Sequence, residues 1–202
     1  MLIFKKNLKP LYFVHIPRTG GRHIKEMFIK NNFQVSFSSF NHFYFNKEVP
    51  HLHYPYYNKF TNYGKIPQFT IVRDPINRFI SMFFSSIIKD NLKIEYKKTL
   101  IDKNLLFDFI NEQILNINFS TNWFRPQIHF LNSNCKYWKY ENGFGINFCK
   151  WIKKNYFLDI KPKKKLYEKL NYDFYKKIRL TKKTKKLIKD YYEFDYKLLN
   201  YK

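Results

Sequence analysis

Leu11-Tyr-Phe-Val-His-Ile-Pro-Arg-Thr-Gly-Gly21 is the stretch that decides the fold, because an apolar run ends there in a short turn with two glycines. Residues 11–16 are typical of a buried strand and residues 17–21 of a tight loop, and the apolar residues that follow have helical spacing over about 21–30. A turn of this kind places backbone N–H groups and a helix N-terminus at the carboxyl end of a strand, where anions bind. The stretch therefore predicts an anion site in an α/β fold.

A second segment, Thr70-Ile-Val-Arg-Asp-Pro-Ile-Asn-Arg-Phe-Ile-Ser81, repeats this arrangement. Residues 66–72 are predicted to form a strand, Asp74 to cap the helix that follows, and Pro75 to occupy its first position. Each of the two turns also carries an arginine, Arg18 in the first and Arg73 in the second. Two such cationic turns predict one ligand with two separated anionic groups.

The helix after the second turn has the clearest periodicity in the chain. Its apolar residues recur at the spacing of a core-facing helix, at Ile76, Phe79, Ile80, Phe83, Phe84, Ile87 and Ile88. The opposite side is expected to be polar and consists of Arg78, Ser81 and Ser85.

Further elements alternate along the chain and complete the prediction of the fold. We expect strands at 33–37 and 136–140, and helices at 104–115, 144–154 and 181–192, with an irregular aromatic stretch at 38–64. Strands that alternate with helices favour a mainly parallel sheet with helices on both faces. The length suits one domain over residues 1–202.

Composition bounds the class of protein. Hydrophobic content of 45% excludes a disordered chain, and the net charge of +23 suits nucleic acid, an anionic membrane surface or an acidic substrate. A bias of an A/T-rich genome toward Lys, Asn, Ile, Phe and Tyr explains the same charge. Cys135 and Cys149 form no metal-ligand pattern, and free thiols are favoured over a disulfide. No leader or membrane-spanning segment is evident, so a cytoplasmic protein is expected.

The first turn is phosphate-loop-like in its chemistry. Its two glycines let the backbone approach an anion, Thr19 offers a hydroxyl and Arg18 a fixed charge. The G-x-x-x-x-G-K-[ST] pattern is missing, which disfavours nucleotide triphosphate hydrolysis. At the second turn, Arg73 suits bidentate phosphate binding and Ser81 can add a donor. The alternatives are an ordinary strand-to-helix turn and an ion pair between Arg73 and Asp74 or another carboxylate.

Both segments together resemble the sulfotransferases that use 3′-phosphoadenosine-5′-phosphosulfate (PAPS), specifically the carbohydrate (Golgi-type) members. Their two motifs correspond here to His15-Ile-Pro-Arg-Thr-Gly-Gly21 and Arg73-Asp-Pro-Ile-Asn-Arg-Phe-Ile-Ser81, in the same order and about 55 residues apart. Later elements of the family are similar to Asn122-Trp-Phe-Arg-Pro-Gln127, to Lys139-Tyr-Glu-Asn142 and to the aromatic stretch 190–201. The resemblance implies a three-layer α/β/α sandwich with a P-loop-like strand-loop-helix.

The resemblance also implies roles for individual residues. The 5′-phosphosulfate falls on Arg18, Thr19, Gly20 and Gly21, and the 3′-phosphate on Arg73 and Ser81. The chain departs from the family where Arg18 replaces the usual lysine and where Arg22 and His23 replace a small hydroxyl pair. Arg18 can neutralise the leaving phosphate but is a poor proton donor, because the pKa of arginine is above about 12. Arg22 is a candidate ligand of the phosphosulfate, and His23 a weaker one.

Sulfuryl transfer needs a base for the acceptor hydroxyl, and histidine is the usual choice near neutral pH. The chain has six histidines, at positions 15, 23, 42, 51, 53 and 129. We expect His15 to be buried and structural. His51 and His53 form an H-x-H similar to one in the uronosyl 2-O-sulfotransferases, and they are the candidate bases, with His53 slightly ahead. Packing of these rings against aromatic residues is the alternative, and His42 stays possible.

The sequence thus predicts an enzyme that transfers the sulfuryl group of PAPS to an acceptor hydroxyl, without a metal. The family implies a carbohydrate acceptor, whether neutral or anionic, and no nucleic-acid partner is expected. The basic runs 161–165 and 182–186 could attract an anionic glycan or could be solvated faces. The alternatives are a P-loop-type small-molecule kinase, a basic nucleic-acid-binding module and an inactive PAPS-binding relative.

Overall fold

A computed structural model describes residues 1–36, 43–44, 47–48, 51–54, 56–57, 65–83, 85, 103–117, 119, 123–162 and 179–202. The chain forms two compact units, which are Met1–Arg73 with Gln127–Leu166 and Asp74–Pro126 with Tyr167–Lys202. The chain leaves the first unit directly after Arg73, so the second motif of the sequence is divided between the two units. The single domain over 1–202 stays a prediction.

The first motif forms a strand, a loop and a helix, as predicted. The helices and strands of the described residues are named here in chain order. They are β1 Leu2–Phe4, β2 Leu11–Val14, α1 Gly21–Lys30, β3 Gln34–Ser36, β4 Phe43–Tyr44, β5 Lys47–Glu48, β6 Gln68–Val72, α2 Pro75–Phe83, α3 Lys103–Leu115, β7 Cys135–Lys139, α4 Ile146–Tyr156, α5 Lys182–Tyr191 and α6 Glu193–Leu198, with 3₁₀ helices at Gln127–Phe130 and Tyr140–Asn142.

The main sheet lies in the first unit and has five strands in the order β3-β1-β2-β6-β7. β6 is parallel to both β2 and β7, whereas β1 is antiparallel to both β2 and β3. β2 and β6 are buried at every residue, which explains their continuous apolar character. The predicted α/β class is confirmed, and the sheet is mixed because β1 and β3 add antiparallel pairings to the parallel part.

Alternate residues of the sheet face a core that α1 and α4 also line. Phe13 of β2 and Phe69 of β6 lie on this side, with their ring centroids 4.9 Å apart. The predicted bounds of α1 are confirmed, and its apolar stripe of Ile24, Met27 and Phe28 is fully buried. This packing fixes the start of α1 against the carboxyl end of β2.

Some local predictions were incomplete or shifted. β1 was not predicted, because three residues carry little periodicity; it forms by pairing with β2. The stretch 38–64 was expected to be irregular, but it contains the antiparallel pair of β4 and β5. β7 and α4 are offset by one or two residues from their predicted bounds. Both cysteines are free and buried, as expected, and burial raises the pKa of Cys135 to about 12.

The second unit begins with the predicted helix cap. Pro75 is the first residue of α2, and the Asn77 N–H donates to Asp74 Oδ1 at 2.8 Å. Phe79, Ile80 and Phe83 are buried in a core that also includes residues of α3 and α5. The apolar positions predicted at 84, 87 and 88 lie outside the described residues.

Two residues on the predicted polar side of α2, Arg78 and Ser81, are nevertheless buried, and Arg78 is fully so. Its Nη2 donates to the Trp123 carbonyl oxygen at 3.1 Å, and its guanidinium lies 5.9 Å from the ring centroid of Tyr192. Arg78 is therefore a structural charge of the second unit. Its burial could not be read from helical periodicity, because residues distant in sequence cover it.

The last long helix agrees with its prediction to within a residue. Thr181 caps α5 by accepting a hydrogen bond from the Thr184 N–H at 3.1 Å. The lysines of the 182–186 run are exposed on this helix. Among the helices of the described ranges, none is long and apolar enough to cross a membrane.

Candidate active site

The candidate site is built at one edge of the sheet, where the three parallel strands end. Val14 of β2 pairs with Thr70 of β6, and Val72 of β6 pairs with Lys139 of β7. The carboxyl ends of β2, β6 and β7 therefore lie side by side and lead into the loop 15–20, Arg73 and Tyr140 respectively. This edge is where open α/β sheets bind their ligands.

The loop between β2 and α1 contains two residues in the left-handed backbone conformation. Arg18 and Gly20 both have positive φ, at 65° and 95°. Gly20 is the N-cap of α1 and provides no side-chain hydrogen bond to the first turn of the helix. A left-handed arginine costs about 1–3 kcal/mol, so the surrounding contacts must hold this turn in place.

Thr19 holds the loop together from within. Its hydroxyl is buried and donates to the Ile16 carbonyl oxygen at 2.9 Å. The hydroxyl proton is thus used inside the loop, and Thr19 would offer a bound anion its backbone N–H rather than its side-chain proton.

Gly21 is required by the packing of His15. A Cβ at position 21 would lie 1.8 Å from Nε2 of His15, which is closer than any real contact. The imidazole of His15 is buried and stacks on Phe13, with ring centroids 5.6 Å apart. The prediction of a buried His15 at the strand end is confirmed, and its ring determines how closely α1 approaches the strand.

Gly20 lies beneath an aromatic cover from the segment after β7. A Cβ at this position would lie 3.0 Å from Phe144 Cζ and 3.2 Å from Tyr140 Cε2. Phe144 also stacks on the buried ring of His23, at 4.6 Å between centroids. His23 is therefore a packed ring at the start of α1, whereas Arg22 beside it is exposed.

Arg73 is held at both its backbone and its side chain. The side-chain amide of Gln127 accepts from the Arg73 N–H at 2.9 Å and donates to the Arg73 carbonyl oxygen at 2.8 Å. The guanidinium lies 4.6 Å from the ring centroid of Tyr140, and its Nη1 donates to the Arg18 carbonyl oxygen at 3.2 Å. Among the described residues of its own unit, no carboxylate pairs with Arg73. The structure thus joins the arginines of the two motifs.

His51 and His53 are both buried in the first unit but contact different rings. The ring centroid of His51 lies 4.5 Å from that of His15. His53 packs against Tyr56 and Phe130, at centroid distances of 4.8 and 5.8 Å. The segment that carries them is anchored by a buried network in which Tyr57, Gln68 and Asn132 share hydrogen bonds. His42 lies outside the described residues.

The environment of His15 keeps its imidazole neutral. Burial lowers the pKa of His15 well below its usual value of 6.5, and the neighbouring His51 lowers it further. A neutral His15 beside His51 removes a competing charge from that position.

The predicted residues are divided by the two units. Arg18, Gly20, Gly21 and Arg73 belong to the first unit and lie at its sheet edge. Ser81 is buried in α2 of the second unit, and its role on the 3′-phosphate stays a prediction.

A model of the Sulfotransferase family matches residues 2–148. The chain belongs to the sulfotransferase family. Searches of curated proteins and of solved structures found no match. The region matched to the sulfotransferase family includes both arginine turns, the H-x-H and the segment after β7.

Sequence reasoning missed several residues that shape this sulfotransferase site. Gln127 and Tyr140 were noted only as parts of family-like segments, and Phe144 was assigned to a helix. The sequence carried little indication of these three residues, because each acts through a contact with a residue distant in the chain. The Gly20-Gly21 pair was a usable signal of close approach, although it could not reveal which side chains approach.

We expect Gly21→Ala to destabilise the protein by about 1–3 kcal/mol, because the new methyl group overlaps the His15 ring. Chemical denaturation followed by circular dichroism measures this change. Gly145→Ala is the matched control, since a Cβ there meets no atom within 4 Å. Equal stability of Gly21→Ala and wild type would contradict the close packing of His15.

We expect the protein to lose stability as the pH falls below about 6.5, because the unfolded state then binds a proton that folded His15 rejects. His15 alone should change the free energy of unfolding by about 1.4 kcal/mol per pH unit, until the pH reaches the lowered pKa of His15 in the folded protein. Denaturation curves between about pH 7.5 and about pH 5.5, which is one unit on either side of the ordinary histidine pKa, measure it. His15→Gln should reduce the slope, whereas the exposed His129→Gln should not.

Proposed function

We propose that this protein is a PAPS-dependent sulfotransferase that acts on a hydroxyl of a carbohydrate. The observation that supports the proposal best is the hydrogen bond between the Arg73 guanidinium and the Arg18 carbonyl oxygen. It couples two cationic turns at one sheet edge, as a ligand with phosphate groups at both ends requires. Membership of the sulfotransferase family supports PAPS as the ligand, because the family generally uses this donor.

In this proposal the loop 17–21 binds the 5′-phosphosulfate. Its anionic oxygens would accept from the first N–H groups of α1, beside the positive end of the helix dipole. Arg18 would neutralise the bridging phosphate, and the exposed Arg22 lies at the second helical position, within the same first turn. Arg73 would bind the 3′-phosphate through the part of its guanidinium that does not bond Arg18.

The reaction is an in-line displacement at sulfur. The acceptor oxygen forms a bond to sulfur as the bond between sulfur and the 5′-phosphate oxygen breaks, so 3′-phosphoadenosine-5′-phosphate (PAP) leaves with the electron pair. A histidine takes the proton of the acceptor hydroxyl. Arg18 and the loop N–H groups stabilise the charge that develops on the departing phosphate. These residues contribute positioning and electrostatics, and no metal is assigned a role.

The contacts of the two candidate bases favour His51 over His53. His51 lies against His15, and His15 touches the Cα of Gly21 at the start of α1. His53 is instead enclosed between Tyr56 and Phe130. We therefore propose His51 as the base, which reverses the order favoured by the sequence, and His53 as the alternative.

The carbohydrate acceptor is supported by an aromatic surface near these histidines. The ring of Tyr54 is 42% exposed and lies 6.0 Å from that of Tyr57, which is buried. A partly exposed ring on a rigid support is suited to stacking on the apolar face of a sugar. An inactive PAPS-binding protein is the second candidate, because Arg18 stands where the family usually has lysine.

We expect PAP to bind the folded protein, and Arg73→Ala to weaken binding by about 10- to 100-fold through loss of charge-assisted hydrogen bonds to phosphate. Isothermal titration calorimetry measures both affinities. Arg179→Ala removes an exposed arginine of the second unit and should leave the affinity unchanged. A folded wild-type protein that does not bind PAP would sink the proposed function.

We expect His51→Ala to lower kcat by about 10²- to 10⁴-fold while PAP affinity is retained, because only the proton acceptor is lost. Sulfuryl transfer from labelled PAPS to a panel of glycans gives kcat, and calorimetry gives the affinity. His53→Ala is measured in parallel, and His129→Ala is the exposed control. Unchanged rates in both His51→Ala and His53→Ala would remove the H-x-H from the mechanism.

A further inference from the structure

We infer that Gln127 is a positioning residue, which fixes Arg73 in the orientation that binds the 3′-phosphate. The inference rests on the proposed function, because it assigns Gln127 a part in the same site. Neither the family resemblance nor the two arginine motifs gave Gln127 a role.

The first step of the argument is the geometry of the amide. Gln127 accepts from the Arg73 N–H at 2.9 Å and donates to the Arg73 carbonyl oxygen at 2.8 Å. One side chain therefore satisfies both backbone groups of a single residue, as a neighbouring strand would. This pairing extends the hydrogen bonding of β6 beyond Val72, where its pairing with β7 ends.

The second step is the place of Arg73 in the chain. Arg73 is the last residue of the first unit, and the helix cap Asp74 begins the next one. A backbone at the end of a strand has no ladder to orient it, so its side chain would sample several directions. The paired hydrogen bonds from Gln127 remove this freedom at the backbone.

The third step concerns the far end of the side chain. The guanidinium stacks at 4.6 Å on Tyr140 and donates to the Arg18 carbonyl oxygen at 3.2 Å. Both contacts hold only if the Arg73 backbone is fixed in register with the loop 15–20. The remaining N–H groups of the guanidinium then stay directed at an anion without further reorganisation.

The fourth step is the requirement for an amide at position 127. Gln127 is fully buried, so its donor and its acceptor must both be satisfied inside the protein. Leucine offers neither group, and ionised glutamate can accept but cannot donate. A protonated glutamate can do both, and it therefore reproduces the amide only at low pH.

The experiment measures PAP affinity by calorimetry in Gln127→Leu, Arg73→Ala and the double variant, with thermal unfolding as the check of folding. We expect Gln127→Leu to weaken PAP binding by about 10-fold or more, because a misdirected guanidinium loses its bonds to phosphate. In the Arg73→Ala background, Gln127→Leu should not weaken PAP binding further, because Gln127 acts through Arg73.

Gln127→Glu gives a second readout that a merely structural role would not produce. The measured quantity is the Kd for PAP of Gln127→Glu divided by that of wild type. We expect this ratio to fall toward one as the pH is lowered, because the buried carboxyl then takes up a proton. Gln34→Glu, at an exposed position of β3, is the matched control and should keep a ratio near one throughout. This variant decides the matter if Gln127→Leu does not fold.

The outcomes separate the inference from the proposed function. Suppose that wild type binds PAP and that Gln127→Leu weakens this binding equally in the wild-type and Arg73→Ala backgrounds. That result would overturn the inference and leave the proposed function intact. A pH-independent ratio for Gln127→Glu would also overturn it. Absence of PAP binding by wild type would overturn the proposed function first, and the inference with it.

Discussion

The hydrogen bond from Arg73 Nη1 to the Arg18 carbonyl oxygen, at 3.2 Å, is the contact on which the candidate site depends. It joins the ends of two neighbouring parallel strands, and it bonds the carbonyl of a residue whose φ is 65°. A left-handed arginine is unfavourable by itself, so a partner for its carbonyl helps to hold the loop in the conformation that presents its N–H groups. Arg73 therefore ties the first turn to the end of β6, and removal of the Arg73 side chain would take this donor away from the Arg18 carbonyl.

The glycines of the first turn show how packing, and not only backbone freedom, determines such a site. Gly20 needs its positive φ and also lies beneath Tyr140 and Phe144. Gly21 has ordinary helical geometry, yet the His15 ring occupies the place of a Cβ. Because both positions exclude side chains, the start of α1 can lie close to the carboxyl end of β2 after the short loop 15–20. The rings of Tyr140, Phe144 and His15 thus pack directly against the two glycines of the loop.

The sequence predicted what depends on local signals and missed what depends on distant contacts. The bounds of α1 and the Asp74 cap were correct, because each follows from residues within one or two helical turns. Arg78 was assigned to a polar face but is buried, and Gln127 received no role, because the residues that surround them come from other parts of the chain. The motifs therefore pointed to Arg18 and Arg73 as candidates, whereas only the fold shows how Arg73 is held.

The histidines of the first unit illustrate the same dependence of chemistry on packing. Burial keeps His15 neutral at the pH where an ordinary histidine begins to gain a proton. His51 lies beside this neutral ring, with 4.5 Å between the two ring centroids. The same burial makes His15 a poor base itself. One imidazole thus sets how closely α1 approaches the end of β2 and also contacts His51, the residue that we propose as the base.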